Sequence, residues 1–146
     1  MADKKLAPGN KAPDLSLETP AGKTINLHSL QGHPVIVYFW ASWDEHSRKS
    51  NKILKDILNS FGNHQVKVYA IGLESYREVW LNAIQNDGTG QWTHVTDYLN
   101  IHFGTRSLFN IPEQLPFFYL LDKDLTIIDR GNDVNKLSAS LSLMQH

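Results

Sequence analysis

Apolar and polar residues change places along this chain with more than one period, and each period points to a different element. In "DLSLE" they alternate, "TPAGK" supplies turn chemistry and "TINL" resumes the alternation, which predicts a β-hairpin. "PVIVYFWA" is a continuous apolar run rich in β-branched and aromatic residues, the pattern of a strand buried on both faces. From Asp44 to about Asn59 the residues Ile53, Leu54, Ile57 and Leu58 recur at helical spacing, so an amphipathic helix is expected there. "QVKVYAIGL" reads as a second buried strand, and "YREVWLNAIQN" as a helix with Val79, Trp80 and Ile84 on one face, ended by "NDGTG". A short strand at "WTHVTD" and a short helix at "GTRSLFN" follow. "PFFYLLD" and "LTIIDR", joined by the turn "KD", form a hairpin, and "DVNKLSASLSLM" closes the chain as a helix with Val134, Leu137 and Leu141 facing inward. Strand–helix–strand implies a right-handed parallel crossover, and a terminal hairpin adds antiparallel strands. The expected architecture is α/β, a mixed central sheet with helices on both faces and an N-terminal β-hairpin.

Composition narrows this picture without changing it. The 146 residues suit one domain spanning 1–146, with residues 1–10 as a polar arm. Hydrophobic residues make up 41% and charged residues 20%, as in a folded globular chain. Fourteen Lys and Arg against fifteen Asp and Glu leave a net charge of -1, which gives no electrostatic ground for a nucleic-acid partner or an anionic membrane. No apolar run approaches the ~18–20 residues of a membrane-spanning helix, since the longest, Pro34 to Trp43, is broken by Ser42 and has a strand's length. The opening "MADKKLAPGNKAP" lacks the apolar core of a signal peptide. Cysteine is absent, which excludes a disulfide scaffold, a cysteine-ligated metal centre and any step through a protein thiolate.

That absence bears on a resemblance. The opening "GNKAPDLSL", the segment "GKTINLHSLQGHPVIVYFWASW" and the strand "LPFFYLLDKD" together resemble the thioredoxin-like thiol-disulfide oxidoreductases of the bacterial cell envelope. Those proteins are of the cytochrome-maturation type, grouped with the alkyl hydroperoxide reductase/thiol-specific antioxidant (AhpC/TSA) family, and the similarity covers nearly the whole chain. It implies a thioredoxin-like fold and a location in the cell envelope or periplasm, the alternative being the cytoplasm. It also implies a cis-proline at Pro116, six residues before Asp122, in a segment one residue longer than usual. After the tryptophan the family reads C-x-x-C-R-x-E-x-P, where this chain reads Asp44-Glu45-His46-Ser47-Arg48-Lys49-Ser50-Asn51-Lys52. Both cysteines, the glutamate and the proline are replaced together, and Arg48 alone is kept. Disulfide exchange needs one thiolate to attack and a second thiol to resolve the mixed disulfide, and peroxide reduction needs a sulfenic acid. A carboxylate and a hydroxyl supply neither.

The residues left at this place have simple readings beside sharper ones. Asp44 is a good helix N-cap whose charge matches the dipole; more sharply, it imitates a permanent thiolate. Ser47 reads as an ordinary first-turn residue. Consecutive side chains at a helix start diverge by about 100°, so Asp44, Glu45 and His46 do not converge on a metal ion. His28, His33, His64, His94 and His102 show no paired spacing, and neither metal nor cofactor is expected. Ser42, Asp44 and His46 are the residue types of a hydrolytic triad, without the G-x-S-x-G elbow that presents such a serine. Trp40 is expected in the core, with Phe103, Phe109 and Trp92 as packing residues. The resemblance places Trp43 as a surface wall, opposite Leu115 and Pro116. The expected site is therefore a groove of Trp43, Asp44, Glu45, His46, Leu115 and Pro116 that takes a protein or an extended peptide, with no catalytic residue. The function this supports is a redox-inactive binding or accessory module. The alternatives are an enzyme of non-thiol chemistry at the same helix start, and a structural partner of an active thiol-disulfide oxidoreductase. Oligomeric state is left open.

Overall fold

The computed structural model describes residues 6–60, 65–97 and 108–144. Seven strands form one sheet: β1 (Ser16–Glu18), β2 (Thr24–Asn26), β3 (Val35–Trp40), β4 (Lys67–Gly72), β5 (Thr93–Thr96), β6 (Phe117–Leu121) and β7 (Ile127–Gly131). Three α-helices are described: α1 (Glu45–Ser60), α2 (Arg77–Asp87) and α3 (Leu137–Met144). The sheet runs β2-β1-β5-β4-β3-β6-β7. Its centre is parallel, with β3 against β4 and β4 against β5, while β6, β7 and the N-terminal hairpin are antiparallel. This is the thioredoxin-like arrangement, and the mixed sheet and both hairpins fall where the alternation of the sequence puts them.

β3 is buried at every position, because both faces of the sheet are covered. Alternate residues serve two cores. Ile36, Tyr38 and Trp40 pack with Leu54 of α1, Trp80 and Ala83 of α2, and Leu137 and Leu141 of α3. Val35, Val37 and Phe39 pack on the other face with Leu17, Phe109, Tyr119 and Leu27, the last from the 3-10 turn Leu27–Leu30. Helical segments thus lie on both faces. Full burial of side chains this size contributes roughly 1.5–3 kcal/mol each, which is why the apolar run of β3 is so plain in the sequence. Phe109 and Trp92 are packing residues as expected: Phe109 lies 5.5 Å from the Phe39 ring, and Trp92 meets Tyr38 edge-on. Phe103, His64, His102 and most of the "GTRSLFN" helix lie outside the described residues.

Two apolar positions differ from expectation. Val79 is 47% and Ile53 37% exposed. The buried stripe of α2 is Trp80, Ala83, Ile84 and Asp87, centred about 90° around the helix from Val79, which therefore falls at its exposed border. α1 buries Leu54 together with Ser47, Ser50 and Asn51, so its inner stripe is largely polar. Of the expected polar arm, Leu6 is buried, and Gly9 and Asn10 pair with the backbone of Ile127 along β7.

Close approach explains one glycine and chain reversal another. A Cβ on Gly72 would lie 2.7 Å from Trp80 Nε1, so the end of β4 admits no side chain beneath α2. Gly88, at φ 69, ends α2 in the left-handed conformation that glycine adopts without steric cost. Because β3 and β4 are parallel neighbours in the register Trp40 to Gly72, their C-terminal ends coincide. The two connections that follow, residues 41–44 and 73–76, therefore meet at one edge of the sheet. Open parallel sheets place their ligand sites at this edge.

Candidate functional site

Asp44 begins the site. Its Oδ2 accepts hydrogen bonds from Ser47 N at 2.9 Å and from Ser47 Oγ at 2.8 Å, and its carbonyl accepts from Arg48 N at 3.1 Å. Asp44 is the N-cap of α1. Ser47 is fully buried, and its Oγ also accepts from Ala41 N at 3.2 Å. It is therefore more than an ordinary first-turn residue. The two side chains at the cysteine positions of the resemblance are thus joined to each other by a hydrogen bond.

The inner face of α1 carries the rest of the polar structure. Arg48 Nε and Nη2 grip Asp87 at 2.7 and 2.9 Å, and Asn51 Nδ2 donates to the same carboxylate at 2.9 Å. The hydrogen bond to Asp87 raises the pKa of Arg48 further above its ordinary value. The one residue of the family pattern that survives is thus a tether between α1 and the end of α2. Ser50, at the glutamate position, accepts from Tyr38 Oη at 2.8 Å. Burial raises the Tyr38 phenol well above its ordinary value, so it stays protonated and donates.

Glu74, which the sequence pattern did not single out, lies just beyond β4. Its Oε2 accepts from Ser42 N at 2.7 Å and its Oε1 accepts from Ser42 Oγ. Burial raises its pKa, opposed by the Ser42 hydrogen bonds and the Arg48 charge. Trp43 Nε1 donates to Leu73 O at 3.0 Å, while the rest of the side chain stands out from the surface at 64% exposure. Trp40, three residues earlier at the end of β3, is buried.

A cleft of about 480 Å³ opens beside Trp43, lined by Asp44, His46, Glu113, Gln114, Leu115, Pro116 and Asn132 as well. The Leu115–Pro116 peptide is cis. Five of the six residues expected in the groove are brought together here: Trp43, Asp44, His46, Leu115 and Pro116. Glu45 is not among them; its exposed carboxylate faces Lys49 at 3.5 Å, one helical turn on. Glu113, Gln114 and Asn132 join the cleft from connections whose sequence carries no motif. Ser42, Asp44 and His46 do not form a triad, because Ser42 is bonded to Glu74 and Asp44 to Ser47. Among the described residues no three His, Asp or Glu side chains are grouped to hold a metal ion.

His94 is buried away from the cleft, between Trp40 and Trp92, with Nε2 directed at Thr89 O at 2.9 Å. Burial pushes its pKa down to about 4, so the ring is neutral at pH 7.

Comparison with known proteins agrees with this geometry. Residues 8–131 match the family model described as AhpC/TSA family. The thiol-disulfide oxidoreductase ResA of Bacillus subtilis is 29% identical over 68 residues, which are 47% of this chain and 38% of that protein, so the match spans less than half of either. A thiol-disulfide oxidoreductase from Bacteroides fragilis superposes with a TM-score of 0.80 at 25% identity, covering 92% of this chain and 99% of that one. The thioredoxin domain of a Bacteroides vulgatus thiol-disulfide oxidoreductase shares the fold, with a TM-score of 0.84 at 22% identity over 94% and 97% of the two chains. The chain belongs to the AhpC/TSA family, and within its thioredoxin-like scaffold Asp44 and Ser47 stand where a C-x-x-C pair would be.

Proposed function

We propose that this chain is a redox-inactive thioredoxin-like module of the bacterial cell envelope that binds a protein or an extended peptide in the cleft beside Trp43. The observation that carries the reading is the pairing of two facts at one helix start. The Asp44–Ser47 pair offers only oxygen, already committed to a helix cap. The neighbouring cleft is open, and a large indole stands at its mouth. Exposed aromatic side chains at a concave surface are typical anchors of peptide recognition. The envelope location follows the resemblance alone.

Two assays test the proposal. Insulin reduction by dithiothreitol and peroxide consumption should proceed at the rate of protein-free controls, and turnover clearly above them, in a preparation free of contaminating thioredoxin, overturns redox inactivity. A randomised nonapeptide library displayed on phage should yield sequences that bind the wild-type protein and fail to bind Trp43→Ala. Equal enrichment on both proteins, or none on the wild type, overturns the cleft as a peptide site.

A further inference from the structure

Two consecutive residues of the connection after β4 hold two consecutive residues of the connection after β3. Leu73 O accepts from the Trp43 indole, and the Glu74 carboxylate accepts from both the backbone N–H and the hydroxyl of Ser42. Arg48 Nη1 reaches Ser42 O at 3.4 Å, so the N–H, the hydroxyl and the carbonyl of Ser42 are all engaged. Ser42 and Glu74 are buried, at 6% and 2% exposure. Trp43, the next residue, is 64% exposed, with its indole N–H held by Leu73 O. Its ring is a wall shared by two hollows: the cleft already described, and a second of about 290 Å³ lined by Ser42, Glu74, Ser75, Tyr76 and Val79. The direction of the indole therefore bears on both hollows.

We infer that Glu74 is the positioning residue of the docking cleft: by clamping Ser42 it sets the direction of the Trp43 indole, and so decides which peptides the cleft admits. The selecting role rests on the cleft being a peptide site; the clamp itself does not. A carboxylate suits the task because each oxygen takes one of the two donors of Ser42. Glutamine reproduces the arrangement with its carbonyl accepting from Ser42 N and its amide donating to Ser42 Oγ. Alanine removes both contacts and leaves two buried donors without acceptors.

The test exploits the placement of the four tryptophans. Trp40 and Trp80 are fully buried and Trp92 nearly so, which makes iodide quenching of the intrinsic fluorescence a report on Trp43. In Glu74→Ala the quenching constant should change by at least about twofold, and the Trp43 indole N–H resonance should move toward its water-exposed position. Library peptides selected on the wild type should lose about tenfold or more in affinity, a difference of 1.4 kcal/mol. Glu74→Gln should restore all three. If Glu74→Ala does not fold, Ser42→Ala removes one contact of the clamp and should shift the same readouts in the same direction, by less. Quenching, indole resonance and affinity that stay at wild-type values in a folded Glu74→Ala or Ser42→Ala overturn the inference. A wild-type protein that selects no peptide overturns the selecting role along with the docking reading, while the indole resonance still decides whether Glu74 holds the ring.

Discussion

Asp44 accepts two hydrogen bonds through one carboxylate oxygen, and this arrangement separates what its charge does from what its shape does. Asn keeps a capping oxygen, so Asp44→Asn should be nearly neutral in urea unfolding, whereas Asp44→Ala should cost ~1 kcal/mol. If Asp44→Asn leaves stability unchanged and abolishes capture of the selected peptides, the charge serves binding rather than the cap. His94 makes a separate prediction. Its pKa is about 4 in the fold against 6.5 for the unperturbed ring, so the unfolded chain binds more protons between those values. The contribution of His94 to stability is complete above pH 6.5 and is lost as pH falls toward 4, a change of about 3 kcal/mol. Urea midpoints measured across this window should fall with acid in the wild type, and His94→Gln should flatten that part of the slope. An unchanged slope in the variant would mean that other groups govern the acid response.

Helix α1 is the element in which sequence and structure part most clearly. Its start was legible, because Asp44 precedes a helical apolar period and is a strong cap. Its buried face was not. Apolar periodicity gives Ser47, Ser50 and Asn51 no partner, whereas in the fold they meet Ala41 just past β3, Tyr38 of β3 and Asp87 of α2. Polar burial of this kind depends on partners distant in sequence, which periodicity does not encode. Glu74 escaped for the same reason: only the coincidence of the β3 and β4 ends brings it to Ser42. By contrast β3, both hairpins and the inward face of α3 were plain, since their burial follows from apolar periodicity itself. The tether between α1 and α2 yields a test at this scale. Arg48→Ala leaves the buried Asp87 carboxylate with fewer donors and should cost about 3 kcal/mol, somewhat less than a fully buried pair because Arg48 is partly exposed. Arg48→Lys should recover only part of it, since an ammonium cannot reproduce the two-pronged grip. A loss below about 0.5 kcal/mol in Arg48→Ala, the scale of an exposed ion pair, would show that the grip of Arg48 adds little to the joining of α1 and α2, where Asn51 and Lys55 also bond Asp87.

Across the whole molecule, the sheet brings a cap, a clamp and a cleft to one edge, and the scaffold around the replaced pair is intact. Cysteines introduced together at 44 and 47 should therefore oxidise to a bridge, visible as the loss of both free thiols to an alkylating reagent. The contact between Asp44 Oδ2 and Ser47 Oγ shows that the two side chains already meet. Such a variant should exchange thiols slowly, because Ser50 offers no carboxylate to manage the proton. Persistent free thiols under oxidant would show that the start of α1 cannot accept the bridge. The present Asp44–Ser47 contact differs from such a bridge in kind. A bridge of sulfurs remembers the last oxidant it met until electrons arrive to erase the record. A carboxylate and a hydroxyl part and rejoin with thermal motion and keep no history, so the fraction of clefts filled would track the free concentration of the occupant alone, in oxidising and reducing surroundings alike.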